Sequence, residues 1–214
     1  ALPDELSYCD GAQVACGFGT VFEGLEKIGV CGSDTILITG LGPVALAAAM
    51  LARAMGADKI IGIEAADDRI AIAKNLGLFD AVLKAGPDNL QQVRDLTGGH
   101  GAEKTIDCSG DDKARLTCIQ AARKWGKIVF IGEGGTCSFQ PSPDMIHDQK
   151  TLFGSWVTSI WRMEELVERI VRWRIHPEKL ITHRFSLDQV AEAYTLMAAK
   201  KCGKVAVVFD EELK

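Results

Sequence analysis

Short apolar runs alternate with longer amphipathic segments along most of the chain. The short runs are rich in β-branched residues and predict strands that are buried on both faces, whereas the longer segments predict helices. The predicted strands are 35–39, 59–63, 81–84, 104–108, 127–131 and 150–155, and the predicted helices between them are 45–55, 69–76, 88–97 and 111–125. Strands that alternate with helices of this length predict an α/β fold built on a doubly wound parallel sheet.

The two ends of the chain are less regular. Near the start, apolar residues recur at helical spacing but Gly17 and Gly19 interrupt them, which favours two short helices or one bent helix. Near the end, the pattern predicts a helix over 163–173, a loop from Pro177, a helix over 186–200 with Ser186 as its cap, and a strand over 204–209. In the middle, Asp67 is predicted to cap the helix that Gly77 closes.

The turn after the first predicted strand has the pattern G-x-G-x-x-A, from Gly40 to Ala45. Gly40 and Gly42 permit a sharp turn and a close approach of the backbone to a ligand. Pro43 stands at the first helical position, where no N–H is needed. Such a turn aims free amides and a helix dipole at a pyrophosphate. Glycine pairs are common in turns, so this motif alone is weak evidence for nucleotide binding.

The second predicted strand strengthens the nucleotide interpretation because it ends at Glu64, 24 positions after Gly40. This is near the spacing of the acid that accepts hydrogen bonds from an adenosine ribose. The alternative is a solvated glutamate at a strand end. A carboxylate there would repel a 2′-phosphate, and Ala65 and Ala66 follow it, so NAD is predicted rather than NADP. Arg69 lies close by in sequence and would soften that preference.

Composition narrows the class of protein. The chain has 214 residues, 47% of them hydrophobic and 25% charged, with a net charge of −5. The acidic balance argues against a general nucleic-acid binder, and no apolar run approaches the roughly 20 residues that span a bilayer. The seven cysteines are odd in number and contain no C-x-x-C pair, so we expect no disulfide framework and a cytoplasmic location.

Several separate segments resemble one known family. They are 15–20 (ACGFGT), 40–45 (GLGPVA), 69–77 (RIAIAKNLG), 182–185 (THRF), 190–197 (VAEAYTLM) and 203–208 (GKVAVV). In this order, they resemble the carboxyl-terminal two thirds of a medium-chain, zinc-dependent alcohol dehydrogenase. The resemblance implies a Rossmann-type coenzyme domain, with remnants of a second, β-rich catalytic domain at both ends.

The family's β-rich amino-terminal domain has no counterpart in this chain. That domain carries a Gly-His-Glu segment and two zinc ligands, and none of the four histidines, His100, His147, His176 and His183, stands in such a sequence. We therefore expect a truncated form: 1–19 as a remnant of the catalytic domain, 20–155 as the dinucleotide-binding domain, and 156–214 as the segment that returns to the catalytic domain.

The resemblance also implies roles for individual residues. Cys16 resembles a catalytic zinc ligand, but a catalytic site needs three protein ligands, so the zinc site is incomplete in this chain; the alternative is a free buried cysteine. Thr20 would meet the nicotinamide carboxamide, and Val44 would pack behind the ring. Lys204 would reach the pyrophosphate, unless it is simply a solvated strand lysine. The remaining coenzyme contacts implied are Gly40, Gly42, Pro43, Glu64, Arg69, Cys108, Ser109, Ile131 and Gly132.

The implied reaction is hydride transfer from a small-molecule alcohol to NAD. Simple alcohols, polyols and amino alcohols all remain open as substrates, and a homo-oligomer, dimer or tetramer, is expected. No catalytic residue is predicted in this chain, which we expect to bind NAD(H) without turning over an alcohol. The alternatives are a zinc-free quinone or enoyl reductase, a methyltransferase, and a nucleotide-binding module without catalysis. A short-chain dehydrogenase is excluded because neither Tyr8 nor Tyr194 begins a Y-x-x-x-K pair.

Overall fold

Six strands form the central sheet in the computed structural model, which describes residues 1–209. They are β1 (Thr35–Thr39), β2 (Lys59–Glu64), β3 (Ala81–Lys84), β4 (Ala102–Asp107), β5 (Ala122–Phe130) and β6 (Thr151–Gly154). Their order is β3-β2-β1-β4-β5-β6, and every neighbouring pair is parallel. The order reverses between β1 and β4, which is where ligands bind in open sheets of this kind.

Helices connect the strands and cover both faces of the sheet. They are α1 (Tyr8–Gln13), α2 (Gly19–Ile28), α3 (Pro43–Ala54), α4 (Asp67–Leu76), α5 (Asn89–Leu96), α6 (Asp112–Ala121), α7 (Ile160–Trp173) and α8 (Val190–Ala198). Shorter turns of π-helix lie at Val14–Phe18 and Ser142–Ile146, and turns of 3₁₀-helix at Pro177–Leu180 and Leu187–Gln189. No helix within residues 1–209 has the length and apolar character needed to cross a bilayer.

The central strand shows why both faces are covered. Ile36 and Ile38 of β1 are fully buried in the larger core with α2, α3 and α7, whereas Leu37 points the other way into a second core with α5 and α6. A strand with three consecutive apolar residues, which point alternately to the two faces, has to be covered on both sides. The predicted doubly wound parallel sheet is therefore confirmed.

The last part of the chain forms a separate small sheet. β7 (Ile181–Phe185) and β8 (Lys204–Val207) pair in parallel, with α8 between them. The first part of the chain packs against this region through Asp10, whose buried carboxylate accepts hydrogen bonds from the Ser7 and Glu178 amides at 3.2 and 2.8 Å. The predicted division at residues 19 and 155 stays a prediction.

Some boundaries differ from those predicted. Asp67 is the first residue of α4 and caps nothing, Pro177 begins a 3₁₀ turn instead of a loop, and β7 was not predicted. The largest error lies between 111 and 125, where the helix ends at Ala121 and the chain enters β5 at once. Trp125 has φ of 63° and its amide donates to the Asp148 carbonyl at 2.8 Å, so this segment cannot continue a helix.

Candidate functional site

The turn after β1 is held by its neighbours as well as by its own glycines. Gly40 has φ of +78°, and its amide donates to the Ile63 carbonyl of β2 at 2.8 Å. A Cβ on Gly40 would stand 2.5 Å from the Cβ of Ser109 at the end of β4. Glycine is therefore required here by both conformation and space.

The start of α3 presents unpaired amides. Gly42 is the N-cap residue and offers no side-chain cap, and the first intrahelical bond runs from the Leu46 amide to the Gly42 carbonyl at 3.0 Å. The amides of Val44 and Ala45 have no intrahelical partner, because they stand in the first turn of the helix. Pro43, which precedes them, has no N–H. Two free donors at the positive end of a 12-residue helix form a favourable position for an anion.

Arg69 supplies a cation to the same turn. A Cβ on Gly42 would stand 3.3–3.5 Å from the guanidinium carbon and its two terminal nitrogens, so this group lies directly over the glycine. The Arg69 Nε is buried, and no hydrogen-bond partner for it exists among the described residues. A guanidinium that lies beside free amides, with its Nε buried and without a partner among the described residues, favours an anionic ligand. The residues at this turn therefore fit a diphosphate.

Glu64 turns back toward the glycine turn. Its carboxylate is 7% exposed; Oε2 accepts from the Leu41 amide at 2.7 Å, and Oε1 accepts from the Ala65 and Ala66 amides at 2.8 and 2.9 Å. The carboxylate thus ties the end of β2 to the turn after β1, a structural role that the sequence did not reveal. A carboxylate has about four acceptor positions, so about one remains for a ligand hydroxyl.

Asp107, which was not predicted as a site residue, organises the neighbouring turn. This fully buried carboxylate accepts from the Thr39 hydroxyl at 3.0 Å, from the Ser109 amide and hydroxyl at 3.0 and 2.5 Å, and from the Gly110 amide at 3.0 Å. The Arg115 Nε lies 3.4 Å away as a counter-ion. A signal was available: an acid at a strand end, followed by the polar turn Ser109-Gly110.

The ends of β4 and β5 are packed backbone to backbone. A Cβ on Gly132 would stand 2.3 Å from the Gly110 nitrogen and 2.8 Å from the Ser109 nitrogen. Ile131 is buried beside Gly132. At the end of β4, burial of the Cys108 thiol raises its pKa, and the nearby Asp107 charge raises it further. Cys108 is therefore an uncharged thiol near neutral pH. The structure thus brings Gly40, Ser109 and Gly132 into one continuous floor.

A cavity of about 550 Å³ opens beside this floor. Its lining includes Thr39, Ile63, Gly86, Asn89 and Thr117, from the ends of β1 and β2, the loop after β3, the start of α5, and α6. The Ala85 amide at its edge donates to the Glu64 carbonyl at 2.8 Å. Its volume lies in the range of small-molecule sites. This cavity was not predicted from the sequence, because its walls come from five separate segments.

Three predicted coenzyme contacts come from elements around α3. Thr20 lies 8% exposed in the first turn of α2, which packs on α3, and Val44 is half-buried at the second position of α3. Lys204 begins β8, and a Cβ on the preceding Gly203 would stand 3.3 Å from the Leu46 Cδ1 of α3. Val44 lies in α3 and the other two lie on elements that contact α3. Their roles toward a coenzyme stay predictions.

Cys16 stands apart from any set of metal ligands. It is exposed in the π-helical turn Val14–Phe18, so the alternative of a buried cysteine is wrong. Among residues 1–209, no three histidine, cysteine or acidic side chains come together in a way that could hold a metal ion. The described residues alone do not fit a catalytic zinc ion, which needs three protein ligands.

Comparisons with known proteins agree with this architecture. Residues 43–172 match a family model described as zinc-binding dehydrogenase. Over 211 residues the chain is 46% identical to an uncharacterised zinc-type alcohol dehydrogenase-like protein of Escherichia coli K12, covering 98% of this chain and 60% of that protein. An alcohol dehydrogenase structure from Thermotoga maritima superposes with a TM-score of 0.85 at 24% identity, covering 96% of this chain and 59% of that chain.

A second solved structure, an NAD-dependent alcohol dehydrogenase, superposes with a TM-score of 0.79 at 27% identity, covering 97% of this chain and 61% of that chain. The chain therefore spans about 60% of the length of these three proteins.

Proposed function

The chain belongs to the zinc-binding dehydrogenase family, and from this premise we propose that it binds NAD(H) as the coenzyme-binding portion of an alcohol or polyol dehydrogenase. In this proposal the whole protein transfers a hydride from an alcohol to NAD. The NAD-dependent alcohol dehydrogenase that shares the fold at 27% identity supports the choice of coenzyme.

One observation carries the proposal: the uncapped start of α3 beneath the Arg69 guanidinium. The amides of Val44 and Ala45 are free by helix geometry, and Arg69 lies against Gly42 with its Nε buried and without a partner among residues 1–209. A diphosphate here would accept from both amides and pair with the half-buried Arg69 guanidinium. The helix dipole adds to the attraction.

The neighbouring residues would orient the rest of the coenzyme. We infer that the adenine enters the cavity of about 550 Å³, next to the end of β2. The remaining acceptor position of Glu64 would take one ribose hydroxyl, and its buried charge would repel a 2′-phosphate. The positive charge of Arg69 would partly offset the repulsion of a 2′-phosphate. We therefore expect the protein to prefer NAD over NADP without excluding NADP.

At the other end of the coenzyme, the chain's part is positioning. When bound, the nicotinamide supplies the hydride acceptor. Val44 would support one face of the ring, Thr20 would hold its carboxamide, and Lys204 would approach the diphosphate from β8. The described residues do not form a zinc site by themselves, so we derive no step through zinc.

A fluorescence titration tests the proposal through Arg69. Wild-type protein should bind NADH more tightly than NADPH, and Arg69→Gln should weaken NADH binding about tenfold or more, because a charged hydrogen bond to phosphate contributes about 1.5–3 kcal/mol. Arg94→Gln on exposed α5 is the matched control and should leave binding unchanged. Tighter binding of NADPH, or an Arg69→Gln variant with wild-type affinity, would contradict the proposal.

A further inference from the structure

A second cavity, of about 640 Å³, lies at the amino ends of the strands, on the opposite edge of the sheet from the phosphate turn. Its walls come from the first residues of β1 and β2, the start of β4, the start of β5 and the glycine-rich loop after α5. None of these residues belongs to the coenzyme site described above. We refer to this cavity as the amino-edge cleft.

The amino-edge cleft is basic in a protein that is acidic as a whole. Its walls carry three permanent cations, Lys59, Arg123 and Lys124, against one carboxylate, Glu103, so their balance is +2 (3 − 1), with His100 not counted. The net charge of the chain is −5. Positive charge has therefore been segregated into one concave place. Concave sites with charges of one sign raise the local concentration of the opposite ion.

The one carboxylate does not neutralise the whole cleft. Glu103 Oε2 accepts from the Thr35 amide at 2.8 Å, and its Oε1 lies 3.1 Å from the Arg123 Nε. Both oxygens are thus engaged, and the carboxylate balances Arg123 only. Glu103 therefore does not neutralise the charges of Lys59 and Lys124.

The two lysines have no acidic partner among the described residues. Lys59 Nζ donates to the Leu96 carbonyl at 3.0 Å, which is a neutral acceptor, and Lys124 is exposed. The Leu96 carbonyl fixes the ammonium group of Lys59 at the wall of the cleft. An ammonium group can donate three hydrogen bonds, so Lys59 keeps two for a ligand.

An irregularity in the sheet places Arg123 and Lys124 at the cleft. Ala102 pairs with Ala122 and Lys104 pairs with Lys127, so two steps along β4 correspond to five steps along β5 (104 − 102 against 127 − 122). The extra residues of β5 leave the ladder and carry these two cations. Bulges that re-aim side chains in this way are common next to functional sites.

We propose that the amino-edge cleft binds a small anion with two or more negative charges, such as an organic phosphate or a tricarboxylate. Its volume suits a small molecule, and its unpaired cations suit a compact polyanion. This second site is independent of the coenzyme site and does not rest on the proposed function. It would let an anionic metabolite bind while the phosphate turn is occupied.

Calorimetric titration of the protein with inorganic pyrophosphate and with citrate, at low ionic strength, tests this proposal. An Arg69→Gln background weakens anion binding at the phosphate turn, where the amides at the start of α3 remain. In that background, saturable binding should persist for at least one of the two anions, and Lys124→Glu should weaken it about tenfold. The two arms distinguish a phosphate ligand from a carboxylate ligand, and binding in either arm supports the proposal when Lys124→Glu weakens it and Lys74→Glu does not.

Lys74→Glu is the matched control. Lys74 is exposed on α4, away from the cleft, and its reversal changes the net charge by the same amount as Lys124→Glu. It should bind the anion as the background protein does. The proposal is overturned if neither anion binds in the Arg69→Gln background, or if Lys124→Glu and Lys74→Glu weaken binding equally. Thermal denaturation checks that each variant is folded.

Discussion

The two edges of the central sheet are built differently. At the carboxyl edge, the turns after β1, β4 and β5 pack backbone against backbone, and buried acids tie them together. At the amino edge, the strands begin around an open cavity lined by long, charged side chains. Substitutions at the carboxyl edge should therefore destabilise the fold strongly, whereas the amino edge should tolerate them. The following predictions test that contrast, beginning with the largest effect.

The strongest contrast is between two glycines. Gly132→Ala would put a Cβ 2.3 Å from the backbone nitrogen of Gly110, which cannot move without breaking its bond to Asp107. We expect a loss of about 4 kcal/mol or failure to fold. Gly98→Ala at the amino edge meets only His100 Cδ2 at 3.9 Å. Its φ of +62° should cost about 1 kcal/mol.

Urea denaturation of the two glycine variants measures this difference directly. The comparison needs no assumption about ligands. If Gly132→Ala were as stable as Gly98→Ala, the close packing of the carboxyl edge would be wrong.

The next contrast is between two acids. Asp107→Ala would leave the Ser109 and Gly110 amides without their acceptor and Arg115 without its counter-ion, at a cost of about 3–5 kcal/mol. Glu103→Ala at the amino edge removes one amide contact and one half-exposed ion pair, at a cost of about 1 kcal/mol. Free energies of unfolding from urea titrations decide between them, and equal costs would contradict the contrast.

Much of this architecture could be predicted from the sequence, because strands, turns and strand ends leave local patterns of residues. The central strands β1 and β2 are short, largely apolar runs that are buried on both faces, and this requirement can be read locally. Gly40 and Glu64 could be placed at a turn and at a strand end because both features have local signatures, and their roles toward a coenzyme stay predictions. The start of β5 was missed because Arg123 and Lys124 leave the ladder and do not look like a buried strand.

The features that could not be predicted depend on distances between segments that are far apart in the sequence. The inward hydrogen bonds of Glu64 depend on how closely β2 lies to the turn after β1. The role of Asp107 depends on its register opposite Thr39. Both cavities are enclosed by residues from several loops, which no local pattern announces.

The smallest predicted effect concerns pH and the amino edge. Burial would raise the pKa of Asp80, but the hydrogen bond from the Ile60 amide at 2.7 Å and the Arg53 guanidinium outweigh it and hold this pKa below its ordinary value of 3.8. A lowered pKa in the folded state contributes stability that is present above pH 3.8 and is lost as the pH falls through the folded value. The side chain is 42% exposed, so solvent screening keeps this contribution small.

Asp80→Asn tests that pH dependence. The variant should be slightly less stable than wild type at neutral pH, and the difference should shrink as the pH falls below 3.8, because wild type then loses the same charge. Asp68→Asn, on the exposed first turn of α4, is the matched control. Free energies of unfolding of wild type and Asp80→Asn, measured at several acidic pH values, give the difference in stability. A gap between Asp80→Asn and wild type that grows with acid would show that the carboxylate is not held in its charged form by Ile60 and Arg53.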